Sequence, residues 1–180
     1  MGMRTYSFDK FMQLHDGGAA VTASGFGQVG GSNKILDLGG ASDRLDQGIV
    51  GSESRIDAAL VVDIAAISVV TDGRYRIHIL GSSSANMLAP VSLGCIEIGL
   101  GTAILGGLGG LGVAASEAVL LGGAGSAPAG NTTVPGRREL LFCTEQNDVM
   151  NEFIALYVEV LGATSKSLQF TAFVAVLPLE

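Results

Sequence analysis

The sequence predicts an all-β chain folded as two facing antiparallel sheets. Its strongest signal is a pair of alternating runs, Phe153 to Leu161 (FIALYVEVL) and Ser167 to Leu177 (SLQFTAFVAVL), separated by Gly162 to Lys166 as in a hairpin. One side of the first run carries Ile154, Leu156, Val158 and Val160; one side of the second carries Leu168, Phe170, Ala172, Val174 and Val176. Two such strands cannot stand alone in water, so the chain must supply a facing sheet that buries this apolar side. Length is the second observation: 180 residues fit one domain and can build a full core without cross-links. The third is that charged residues make up only 15% of the chain, against an ordinary roughly 25%. Much of the surface is therefore neutral and suited to burial in an assembly.

In chain order, residues 1–17 read as an N-terminal arm or edge element, with Arg4 to Phe11 too short to pack independently, and residues 18–180 as the single domain. Charges at Arg4, Asp9 and Lys10 interrupt the first ten residues, which lack the apolar core of a signal peptide. Ala19 to Gly25 is expected to form the first strand, and Lys34 to Gly39 a second, after a glycine-rich turn. Ala41 to Ser54 is polar and reads as a surface loop. Arg55 to Val70 fits either a strand or a helix by pattern; its β-branched Ile56, Val61, Val62, Ile64 and Ile67 favour the strand. Asp72 and Gly73 mark a turn into Tyr75 to Leu80, and Cys95 to Ile98 is a further short run. Residues 99–136 form a glycine-rich insertion, with no Lys or Arg between Arg76 and Arg137. Strand character returns at Arg138 to Cys143, and a polar connector, Thr144 to Glu152, leads into the closing runs.

The net charge of -7 and the lack of a basic stripe argue against nucleic-acid binding. Cys95 and Cys143 lie in strand-like runs without a CxxC or Cys/His neighbour, as expected of reduced, buried thiols made in cytoplasm. Asp37, Asp57, Asp63 and Glu97 fall within strands, where they are expected on solvent faces rather than around a metal. His15 and His78 have no Ser or Cys beside them as nucleophile and base, and His78, between Ile77 and Ile79, is expected at the surface or an interface. The glycine string Gly106 to Gly112 lacks the context of a phosphate-binding loop. Arg137 and Arg138 read as a solvated strand entry. No catalytic set and no cofactor motif is read from the chain, so no enzymatic role is expected. Ile98 to Ser116 is nineteen uncharged residues, long enough to span a bilayer, yet seven are glycine and neither end has a positive flank. A loop or short helix packing on neighbouring subunits is the preferred account, through Leu105, Leu108 and Leu111.

Several stretches, taken in order, resemble the jelly-roll cement, or decoration, proteins that stabilise tailed-phage capsids: Ala20 to Ser24 (AVTAS), Ile35 to Gly39 (ILDLG), Tyr75 to Ser83 (YRIHILGSS), Arg138 to Glu145 (RELLFCTE), FIALYVEVL and LQFTAFVAV. The resemblance implies a β-sandwich of jelly-roll type and a homotrimer on the outer surface of the virion, where it bridges neighbouring major capsid subunits. It also implies no cofactor, no nucleic acid and no membrane among the partners. The insertion at 99–136 departs from that pattern. Capsid or subunit contacts are expected in the arm, at Arg4, Tyr6, Phe8 and Phe11, and in loops, with the insertion packing between subunits. Two alternatives stay open. One is a carbohydrate- or host-receptor-binding β-sandwich module, which the 6% aromatic content without Trp does not favour. The other is a membrane-active protein working through Gly99 to Gly112.

Overall fold

The structure is a computed structural model that describes residues 8–38, 56–68, 74–99, 118–120, 135–146, 148–162 and 166–176. No α-helix occurs among the described residues; a short 3₁₀ turn at Lys10–Met12 precedes the strands. The strands are β1 (Gln13–His15), β2 (Gly25–Phe26), β3 (Gln28–Val29), β4 (Ser32–Asn33), β5 (Ile35–Asp37), β6 (Asp57–Ser68) and β7 (Arg74–Ser82). They continue as β8 (Val91–Gly99), β9 (Ala118–Leu120), β10 (Gly136–Cys143), β11 (Glu145–Gln146), β12 (Val149–Met150), β13 (Phe153–Leu161) and β14 (Ser167–Val176).

Two sheets face each other, as the alternating runs require. The first has the order β1-β14-β6-β10; the second has β2 and β5 on one edge of β13, followed by β7, β8 and β9. Every pairing in them is antiparallel except β8 with β9. Counting β1, β5, β6, β7, β8, β10, β13 and β14 as strands one to eight, the first sheet reads 1-8-3-6 and the second 2-7-4-5. Leu60, Val62, Ile64, Leu168, Phe170 and Val174 of the first sheet meet Ile77, Ile79, Ile96, Ile154, Leu156 and Val158 of the second in one continuous core. Gly94 fits this interface closely, because a Cβ there would stand 2.8 Å from Leu140 Cδ2.

The two closing runs do not form a hairpin with each other. β13 pairs with β7 in the second sheet, and β14 pairs with β6 in the first. The alternation correctly places their apolar sides as far as Val174, while Val176, expected on the buried side, is exposed at the end of its strand; alternation specifies a face and not a neighbour. Crossing between sheets lets both apolar faces enter the same core. Gly162 takes a left-handed φ of 84° at the crossing, and Lys166 Nζ donates to the carbonyls of Leu161 (2.7 Å) and Gly162 (2.5 Å).

A second correction concerns Ala19 to Gly25, which is not a strand. It touches the first sheet through one bridge, Val21 with Leu168, and β2 starts only at Gly25. Its small side chains bury too little apolar surface to hold a longer ladder. The segment expected to be arm through residue 17 contributes β1 at Gln13–His15, an edge strand on β14. β8 runs longer than the Cys95 to Ile98 pattern, because β7 offers partners along its whole length. The connector after Cys143 folds as the β11–β12 ribbon, tied down where Asn151 Nδ2 donates to the Thr144 carbonyl at 2.9 Å.

Candidate functional site

The outward face of the first sheet is unusual for an antiparallel sheet, whose outer side is ordinarily solvated. β6 is buried from Ala58 through Val62 on both of its faces. Its outward Ala59 and Val61 join Phe173 and Ala175 of β14 in a second buried apolar cluster. Of the four arm residues expected to make contacts, Phe8 and Phe11 are described. Phe8 lies edge-on against Phe173, with ring centroids 5.2 Å apart at 83°. Asp9 caps the following turn: its Oδ1 accepts from the Phe11 amide at 2.8 Å. The cap leaves the Phe11 ring 83% exposed. Arg4, Tyr6, Leu105, Leu108 and Leu111 lie outside the described residues, as does most of the nineteen-residue apolar stretch. No described helix is long and apolar enough to cross a membrane.

The outward face of the second sheet carries ions instead. Alternation turns Arg76, His78, Cys95, Glu97 and Glu159 away from the core, and the register of β13, β7 and β8 sets them side by side. Glu97 accepts from Arg76 Nε at 2.9 Å and lies 3.5 Å from Arg74, and Arg76 also reaches Glu159 at 3.4 Å. Glu97 is only 4% exposed, which corrects the expectation of a solvent-facing carboxylate. A carboxylate this deep needs partners, and two guanidinium groups supply them.

Cys95 Sγ lies 3.9 Å from His78 Nε2, and Glu159 Oε2 lies 3.7 Å from that same nitrogen. A nucleophile and its orienting acid must sit on opposite ring nitrogens, and here they share one. Burial and the nearby Glu97 carboxylate push the Cys95 thiol up to about 12, while burial holds His78 below its ordinary range. Such a thiol is not an activated nucleophile. Both cysteines are free and sit on different sheets; Cys95 is buried as expected, while Cys143 is only half-buried.

Asp63 pairs with Arg137 on the first sheet, both oxygens engaged at 2.8 and 2.9 Å. Glu97 lies on the second sheet, so the strand carboxylates do not gather; among the described residues no cluster suited to a metal occurs. An open groove of about 620 Å³ runs past Asp16, Val21, Ser24 and Phe26. Two of its polar side chains are engaged inside the chain: Asp16 accepts from the amides of Gly18 and Gly30, and Ser24 Oγ accepts from the Val160 amide.

His15, which the sequence offers as a lone imidazole, is a core residue. Its ring stacks on Phe170 at 4.4 Å, and Nδ1 accepts from the Gln28 amide at 3.0 Å, so the proton sits on Nε2. That Nε2 is buried without a partner, as is the Tyr75 hydroxyl.

Neither a protein-family model nor a curated protein matches the chain.

Sequence reasoning passes over Leu88 and Val149, and it places Val176 on the buried side of its run, although all three are exposed near one end of the sandwich. The available signal is slight: Val149 is an apolar residue beside Asp148 within a polar connector, and Leu88 stands just before Pro90 in a small-residue loop.

Proposed function

We propose that the chain is a structural virion protein, a homotrimeric cement protein that binds the outer surface of a phage capsid and bridges neighbouring major capsid subunits. The observation that carries this is a pair of exposed aromatic residues, Phe8 at 56% and Phe11 at 83%, standing beside the buried apolar cluster on the outward face of the first sheet. Exposed aromatic side chains of this kind suit contact with protein rather than water. The strand order 1-8-3-6 over 2-7-4-5 supports the jelly-roll type that the resemblance implies, because it is the order two interlocked Greek keys produce. Five of the six stretches that carry the resemblance fall in β5, β7, β10, β13 and β14; Ala20 to Ser24 forms no strand beyond its one bridge.

Cementing follows from multivalency. Once one subunit of a trimer holds the shell, the others engage at high effective concentration, so modest contacts add up to a strong tie. Light scattering on the purified chain, followed by pelleting with undecorated capsids, tests this. A mass near three times that of one chain, with saturable capsid binding, is the expected result. Deleting Met1 to Lys10 weakens capsid binding and leaves the far-UV spectrum of the sheets in place. A monomer that ignores capsids overturns the proposal.

A further inference from the structure

The two ends of the sandwich differ in kind. β7 and β8 meet at Gly81 and Val91, β13 starts at Phe153 opposite Ser82, and β14 reaches the same end at Val176, opposite Ala58. Of the seven large apolar side chains exposed among the described residues, Leu88, Val91, Leu141, Val149 and Val176 all lie at or beside this end. Leu88 is 70% and Val149 56% exposed. Leu88 is also held in place. The residues on either side of it, Met87 and Ala89, have left-handed φ of 51° and 47°, and the Leu88 carbonyl accepts from Ser82 Oγ at 3.1 Å. A fixed apolar side chain loses little entropy when a partner covers it.

Charge is divided between the ends as well. Glu145, Asp148 and Glu152 stand around the apolar end. Arg74, Arg76, Arg137 and Lys166 lie at the other, and their cationic groups are engaged within the chain by Glu97, Glu159, Asp63 and backbone carbonyls. The acidic rim is the part of this end that a partner's charges must meet. A different protein with lysine or arginine around an apolar depression complements it.

We infer that this acid-rimmed apolar end is the face that seats on the shell, and that the shell presents lysine or arginine side chains around a shallow apolar depression at the contact. This rests on the cement role proposed above. The test uses the full chain and empty shells of the major capsid subunit from the same genome. Two surface variants are compared with the parent: Leu88→Ser with Val149→Ser, and Glu145→Gln with Asp148→Asn. Each should keep the parent's melting temperature and its mass by light scattering. The apolar pair should bind shells about tenfold more weakly, a loss typical of a central contact. The charge pair should bind more weakly at low salt and show a flatter dependence on salt. If the parent binds and both variants bind equally well, the inference falls and the cement role stands. If the parent does not bind, both fall. If the substitutions change the chain's own mass instead, the end is a contact between copies and the inference is overturned.

Discussion

Glu97→Gln tests whether the outward face of the second sheet depends on its ion network. The substitution keeps the shape of the side chain and removes its charge. Arg76, whose side chain is 14% exposed, then retains only Glu159 at 3.4 Å, a carboxylate exposed enough to be screened by water. Removing one member of a fully buried pair costs about 3–5 kcal/mol. Partial compensation by Glu159 lowers the expected loss to roughly 2–3 kcal/mol. In a chain of this size that corresponds to a melting temperature lower by roughly 4–12 °C. The assay is thermal unfolding of the parent, Glu97→Gln, Arg76→Met and the double variant. Because the uncompensated charge disappears when both partners go, the double variant should be less destabilised than the sum of the singles by more than about 1 kcal/mol. Singles that add to within about 0.5 kcal/mol would refute the network as a cooperative unit.

Acidification is expected to destabilise the fold through His15. Burial, opposed by Asp16, holds its imidazole below 6.5, so the unfolded chain takes up more protons there and stability falls as pH drops through that value. His78, held low chiefly by burial, acts in the same direction. His15→Asn should flatten the slope of melting temperature between about pH 7 and about pH 5, and an unchanged slope would remove His15 from the account. Gly81→Ala should cost about 1–3 kcal/mol by overpacking, since its Cβ would stand 2.8 Å from Asn151 Cβ and 2.9 Å from Leu93 Cδ1. Urea unfolding measures this, and a loss under about 0.5 kcal/mol would mean that the ribbon yields freely.

The fold class was legible because β7, β13 and β14 alternate with little interruption, and alternation is a direct consequence of the pleat. Pairing was less legible. FIALYVEVL and LQFTAFVAV have the same period, and nothing in that period says whether two consecutive strands lie side by side or face to face. β6 was ambiguous for a physical reason: AALVV is buried on both faces, so its alternation is erased at the place where it sits deepest. At the surfaces, the pattern around Glu97 correctly turns it away from the core. It could not show that Arg74 and Arg76 come beside Glu97, because that depends on the register of β7 against β8. His15 had no sequence signal of burial, since its stack on Phe170 joins residues at opposite ends of the chain.

The place of β14 in the first sheet has a consequence for synthesis. β14 joins β1 to β6, and Ser167 lies 99 residues beyond Ser68. At about 5–20 residues per second, a ribosome delivers β14 roughly 5–20 s after β6. Through that interval β6, apolar on both faces, has no β14 to cover it. The newborn chain therefore passes through a stage in which its most buried strand is its most adhesive one, and the yield of folded protein depends on what shields β6 until its partner arrives.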